Sequence, residues 1–233
     1  MTAMKKLVAT TAMMLSLVVA LAGCGTAPTQ QLFDAIEKAS ALETTVPASF
    51  EQLKLLEAKD QNQYGNILTN GAQSNANVKA LIENTSKALE DRQKALDDAK
   101  LQLDAGYKLA SDFTKSADKL KDEQLKKQAD EVITAYTKRY ETFQTLHKQY
   151  SQWIAAEKSV YEALKTSDTS IKSIQESVAA RNQVFQQVEQ LKQQFNDFTK
   201  QFNEKKQTFY TAAGIQPTQV VSSGAAEEKA NEG

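Results

Sequence analysis

Apolar residues recur along most of this chain at alternating steps of three and four, the spacing of helices that bury one face. Phe33, Ile36, Ala39 and Leu42 open the pattern, and it resumes at Phe50, Leu53, Leu56, Tyr64 and Ile67. Between them Val46-Pro47 interrupts it, because proline lacks a backbone donor and disfavours the helical conformation of the preceding residue. Residues 29 to 68 are therefore expected as a kinked helix or as two segments end to end. A loop follows at Thr69 to Ser74, with Gly71 suited to a left-handed turn. The second helix is predicted over 75 to 114, on the stripe Val78, Leu81, Ile82, Thr85, Leu89, Arg92, Leu96, Ala99, Leu103, Tyr107, Ala110 and Phe113. Gly106 inside it should cost about 1 kcal/mol. Residues 115 to 121 turn the chain, and Asp122 is placed to cap the next helix.

The third helix carries the strongest pattern. From Leu125, steps of four and three pass through Ala129, Val132, Tyr136, Arg139, Phe143, Leu146, Tyr150, Trp153, Glu157, Val160 and Leu164. Only Arg139 and Glu157 interrupt a coiled-coil-like seam. Residues 166 to 170 end it and offer several N-caps. The fourth helix bears Ile171, Ile174, Val178, Phe185, Val188, Leu191, Phe195, Phe198, Phe202 and Phe209, and stops at Gly214 and Pro217. No stretch of alternating Val, Ile and Thr reads as a strand. The fold class is all-α: four segments of about 40 residues, each some 60 Å long, joined by short connections that favour antiparallel neighbours. An elongated four-helix bundle is expected, with a three-helix bundle as the alternative.

Ahead of the helices, Lys5 and Lys6 precede an apolar run from Leu7 to Leu21 of 15 residues. This is the layout of a secretory signal peptide, and a span would need about 20 residues. The ending Leu21-Ala22-Gly23-Cys24 resembles the lipobox of bacterial lipoproteins. That resemblance implies a diacylglyceryl group on the Cys24 sulfur, cleavage just before it, and a chain anchored in the membrane by its acyl chains. The expected organisation is a signal peptide at 1–23, a lipidated tether at 24–30, a helical bundle at 31–214 and a disordered tail at 215–233.

Cys24 is the single cysteine, so no disulfide supports the fold. Without the signal, which holds two lysines and no acid, the side chains sum to -3 from the chain's -1. That is too near neutral to suggest nucleic acid as a partner. The catalytic inventory is thin. His147, the only histidine, sits beside a seam leucine and reads as a partly exposed helix residue. Asp97-Asp98 and Glu90-Asp91 are adjacent in sequence, which turns their carboxylates about 100° apart on a helix. No phosphate loop, nucleophile elbow or zincin pair is present. The sequence therefore suggests no catalytic residue, no metal ligand and no cofactor.

Two surfaces are candidates for binding. Tyr136, Tyr140, Phe143, Tyr150, Trp153 and Tyr161 read mainly as core, but Tyr140 and Tyr161 lie one position off the seam, where an exposed strip would sit. In an antiparallel bundle Lys115, Lys119, Lys121, Lys126 and Lys127 return to the lipidated end together with Lys200, Lys205 and Lys206. Counted over those two stretches, eight lysines face four acids, a patch suited to anionic lipid or polyanionic wall polymer.

The lipobox, the run Asp122-Glu123-Gln124-Leu125-Lys126-Lys127-Gln128-Ala129-Asp130-Glu131, the pair Arg139-Tyr140 followed by Tyr150, and the closing Phe209-Tyr210-Thr211-Ala212-Ala213-Gly214-Ile215 together resemble the Gram-positive putative cell-wall-binding lipoprotein family. Pro47 and the longer polar tail depart from its pattern. The resemblance implies a helical, non-enzymatic lipoprotein on the outer face of the cytoplasmic membrane that contacts wall polymer or an envelope protein. A solute-binding lipoprotein of a transporter would ordinarily need two α/β lobes, and a wall-active enzyme would need an acid pair or metal in a cleft.

Overall fold

The computed structural model describes residues 26–70, 76–165 and 169–215. The signal and lipidation segment with Cys24, the Gly71 loop, Asp168 and the tail beyond 215 lie outside the described residues. Six helices follow in order: α1 (Pro28–Leu42), α2 (Val46–Asn70), α3 (Ala76–Tyr107), α4 (Ala110–Ala117), α5 (Glu123–Lys165) and α6 (Ile171–Ala212). No strand occurs among the described residues. The helices line up as four rods, α1 with α2, α3 with α4, α5, and α6, and form the expected all-α bundle.

The break at Pro47 produces two segments end to end. Glu43 N–H reaches Ser40 O at 3.1 Å and Val46 N–H reaches Glu43 O at 3.1 Å, a tight link between α1 and α2. Pro47 falls in the first turn of α2, where a missing N–H loses no helical bond. The heptad register crosses the junction intact: Leu32, Ile36, Ala39, Glu43, Val46, Phe50, Leu53, Glu57, Asp60, Tyr64 and Ile67 advance by four and three, and all are buried or half-buried.

The second rod differs from the single helix expected over 75 to 114. It breaks after Tyr107, where Leu109 N–H bonds to Gly106 O at 3.0 Å in a tightened turn. One turn of chain after the weak helix former Gly106, the backbone narrows and restarts as α4. Asp122 then caps α5 by accepting Leu125 N–H at 2.9 Å, and Ser170 caps α6 by accepting Ser173 N–H at 3.1 Å. Gly214, with φ of 67°, ends α6 in the left-handed conformation that glycine takes without strain.

Around the bundle the order is α2, α3, α5, α6, with α5 and α6 sharing the longest interface. One end holds Leu32, Ile36, Phe113, Leu120, Val132 and Phe209. The middle holds Leu53, Leu96, Phe143, Leu146, Trp153, Val188 and Phe195, and the other end Ile67, Ile82, Leu89, Val160 and Leu164. Each such side chain contributes about 1.5–3 kcal/mol by leaving water. The three layers place the start of α1, the turn before α5 and the end of α6 at one end, an up-down-up-down arrangement. The ring closes differently between the first rod and α6. Their backbones pack less closely than the other neighbours, and side chains bridge them: Phe50 stacks on Phe195 at 5.2 Å, and Phe33 meets Tyr210 edge-on at 4.8 Å.

Candidate functional site: a buried ion network beside an open cleft

Heptad seams ordinarily carry apolar residues, and a charged residue on one must find a partner inside the bundle. Here each rod carries such exceptions. Glu43, Glu57 and Asp60 lie on the first rod, Arg92 on the second, Arg139 and Glu157 on α5, and Arg181 and Lys192 on α6. They meet one another in two networks.

The smaller lies at the α1–α2 junction. Arg139 pairs with Glu43 and donates through Nε to Thr199 Oγ1 at 3.0 Å, while the Tyr136 hydroxyl donates to Glu43 at 2.7 Å. Gly106 faces this network. A Cβ there would sit 2.5 Å from Glu43 Oε1 and 2.8 Å from the Tyr136 oxygen. The glycine is thus required by the close approach of the carboxylate, beyond the helix cost that its sequence position suggests.

The larger network joins all four rods. Arg92 is fully buried. Its Nη1 serves both Glu157 and Asp60, the latter at 3.3 Å, and its Nε donates to the Tyr150 oxygen at 3.1 Å. The guanidinium carbon stands 4.1 Å from the centre of the Trp153 ring, a favourable cation–π geometry. Glu157 also accepts from Arg181 at 2.7 Å. Tyr161 donates to the other oxygen of Asp60 at 3.0 Å. Tyr150 donates to Glu57 at 2.6 Å, and Lys192 holds the same carboxylate at 2.8 Å and Glu189 at 2.9 Å.

Burial sets the ionisation of these groups. It disfavours the Asp60 anion, Glu157 adds like-charge repulsion, and Arg92, Tyr161 and Arg181 offset only part of this, so the carboxyl is pushed up to about 6. Burial also opposes the Arg92 charge, but the Tyr150 oxygen and the two carboxylates outweigh it and the guanidinium stays protonated. Burial first, then the carboxylates they touch, raise the phenols of Tyr136, Tyr150 and Tyr161 well above their ordinary range.

Between α2 and α6, on the wide seam, this network floors a half-open cleft of about 280 Å³. Lys54, Glu57 and Gln61 come from α2, Trp153 and Glu157 from α5, and Arg181, Phe185 and Glu189 from α6. Trp153 is 3% exposed. Its indole nitrogen, and Nη2 of Arg92 behind it, are buried and have no hydrogen-bond partner among the described residues.

The residues expected at the surface fare differently. Tyr161 is buried at 3% exposure, so it is core and not part of an exposed strip; its phenol donates to Asp60 on the diagonally opposite rod. Tyr140 is half-buried, stacked on Tyr107 at 3.8 Å, and donates to Asp104 at 2.9 Å. Lys115, Lys119, Lys121 and Lys127 are exposed and Lys126 is half-buried. Their local excess of charge is reduced by acids outside those two stretches of sequence. Lys115 pairs with Asp112 at 3.0 Å, Lys205 with Glu131 at 2.8 Å and Lys206 with Glu37 at 3.3 Å. Lys119 donates to Gln31 at 3.0 Å, which ties the turn to the start of α1. His147 lies beside the seam as expected, 2.7 Å from Asp97. Among the described residues no cluster of His, Cys, Asp and Glu is arranged to hold a metal ion, and no helix is long and apolar enough to cross a membrane.

The uncharacterized lipoprotein YkyA of Bacillus subtilis (strain 168) is 27% identical over 200 residues, covering 84% of this chain and 88% of its own. No solved structure matches the chain. The family described as "YkyA: Putative cell-wall binding lipoprotein" matches residues 27–212, from the last residue before α1 to the last residue of α6, and the chain belongs to that family.

Proposed function

We propose that this protein is a lipid-anchored, non-enzymatic rod that stands on the outer face of the cytoplasmic membrane and binds wall polymer through the cleft between α2 and α6. The cleft is the observation that carries the reading. It opens on the one seam where backbones stand apart, and it is lined by hydrogen-bonding residues from three rods. Some 30 residues of helix separate Pro28 from the cleft, which sets it about 45 Å from the lipidated end. A site at that height faces the wall and not the bilayer. Cys24 supplies the anchor in this reading, with acyl chains that each gain about 0.8 kcal/mol per buried methylene.

The other classes fit less well. An all-helical bundle has no pair of α/β lobes to close over a transported solute. A hydrolase needs a carboxyl with a raised pKa, and Asp60 has one, but it is only 1% exposed and is held by Tyr161 and Arg92, so it is not presented to a substrate as a general acid must be. The test is sedimentation of the purified protein with cell-wall fragments stripped of membrane. Retention with the wall is expected. A protein that stays in the supernatant, yet is captured by crosslinking to an envelope protein in intact cells, would replace wall polymer with a protein partner.

A further inference from the structure

We infer that the α2–α6 cleft takes an uncharged, acetamido-bearing sugar unit; this rests on the wall-binding reading and names the part of the polymer that the cleft would hold. Its charges balance. Glu57, Asp60, Glu157 and Glu189 line the cleft, and Lys54, Arg181, Lys192 and Arg92 stand among or behind them. Four anions against four cations leave no net field to draw in a polyanion such as a teichoic acid, or a polycation. Its hydrogen bonding does not balance. Of the buried side-chain atoms without a partner among the described residues, the one that belongs to a cleft-lining residue, Trp153 Nε1, is a donor, as is Arg92 Nη2 behind it. A buried donor left unpaired costs about 1–3 kcal/mol, so a ligand that presents an acceptor carbonyl recovers that cost.

The same walls offer acceptors. Glu189 is half in solvent, with a side-chain exposure of 49%, and can accept from a hydroxyl or amide N–H. Gln61 is exposed on the rim and works in both directions. Phe185, 5.1 Å from Trp153, supplies an apolar wall for a methyl group or the carbon face of a ring. An acetamido sugar carries each matching part: a carbonyl acceptor, an amide donor, hydroxyls of both kinds and a methyl. The Trp153 ring is already covered by Arg92 and flanked by Tyr150 and Phe185, so the indole contributes its N–H and not a stacking face. A volume of about 280 Å³ suits one sugar unit with its neighbours outside, as a polymer threading past the rod would present it.

Trp153 is the chain's only tryptophan, so its emission reports on this cleft alone. The full-length protein, purified in detergent, is titrated with an N-acetylglucosamine tetramer, with polyglycerol phosphate and with a neutral tetrapeptide amide. The tetrasaccharide should shift the emission saturably, and its affinity should change less than about twofold between 50 and 500 mM salt, since no phosphate or counterion release is involved. Ala58→Phe, at an exposed helical position on the cleft wall, should weaken binding at least about tenfold while helicity and melting temperature stay unchanged. Gln61→Ala should weaken it less. An emission shift with polyglycerol phosphate or the peptide in place of the sugar would overturn the assignment. So would sugar binding that ignores Ala58→Phe. If the protein sediments with wall fragments while none of the three probes moves Trp153 emission, the cleft assignment fails and wall binding stands. If it neither sediments nor responds, both fail.

Discussion

The Glu43 carboxylate occupies the place that a side chain on Gly106 would take, with 2.5 Å between Oε1 and an added Cβ. Helix propensity alone predicts that Gly106→Ala stabilises by about 1 kcal/mol. The contact predicts the opposite. The methyl group would displace a carboxylate that holds Arg139 and Tyr136, and breaking a buried ion pair costs about 3–5 kcal/mol. A net loss of about 2–4 kcal/mol is expected in urea unfolding. Because Glu43 and Gly106 act on one contact, Gly106→Ala combined with Glu43→Ala should lose less than the sum of the two single changes.

Arg92 is the hub between Asp60 and Glu157, and its removal leaves two buried carboxylates facing each other. Arg92→Met should cost about 3–5 kcal/mol although it adds apolar volume. The triple variant Arg92→Met, Asp60→Asn, Glu157→Gln removes the stranded charges and should recover much of that loss. Equal stabilities of the single and triple variants in denaturant titrations would show that the network is not an electrostatic unit.

The anchor is tested separately from the bundle. Cys24→Ser removes the sulfur that would carry lipid, and the protein should move from the membrane fraction to the soluble fraction with its helical content intact. The acyl chains are what hold it in this account, since no described helix can span and Lys115, Lys205 and Lys206 at this end are paired with Asp112, Glu131 and Glu37. A cleaved Cys24→Ser protein that stays with the membrane would locate the anchor elsewhere.

The stripe from Leu125 to Leu164 was readable because eleven of its twelve positions are buried and the twelfth, Leu125, is half-buried. Its two polar exceptions, Arg139 and Glu157, carried information as well: a charge at a seam position signals a partner on another rod. On α2 the same signal was masked. Leu56 stands next to Glu57, and an apolar reading takes the leucine, although a strict step of four from Leu53 lands on Glu57 and the next step of three on Asp60. Arg92, a seam position by spacing, was visible but had no partner that sequence could name. Gly106 was legible as a weak point and not as a contact, because Glu43 reaches it across the bundle from 63 positions earlier. The charge of the basic end was only partly legible for a related reason. Glu37 and Glu131 neutralise Lys206 and Lys205 laterally, between rods, where a count along the chain does not look.

Asp60 should make stability depend on pH in the direction opposite to an ordinary ion-paired acid. Its carboxyl is raised to about 6, against about 3.9 for an unperturbed aspartate. Between these values the folded protein binds the proton and the unfolded chain does not, so this group's contribution to stability is fully present below about pH 4 and is lost as pH rises through about 6. A tenfold difference in proton affinity between the two states corresponds to about 1.4 kcal/mol, so the effect of Asp60 alone is on the order of 2–3 kcal/mol. Acids with lowered values act in the other direction. Asp104, where hydrogen bonds from Lys100, Tyr140 and Gln144 outweigh its desolvation, and Glu131, held by Lys205, add stability as pH rises from the acid range. The whole protein can therefore show a flat profile. The comparison that isolates Asp60 is with Asp60→Asn, which cannot titrate but keeps the shape. The stability of the natural chain minus that of the variant, from urea titrations at pH 4, 5, 6 and 7, should fall by about 2 kcal/mol across the series. Arg92, Arg181, Tyr161 and Glu157 surround the group and are common to both proteins, so their constant parts cancel in the difference. A difference that rises with pH would mean that Arg92 holds Asp60 as an ordinary ion-paired carboxylate, and that burial does not govern its proton.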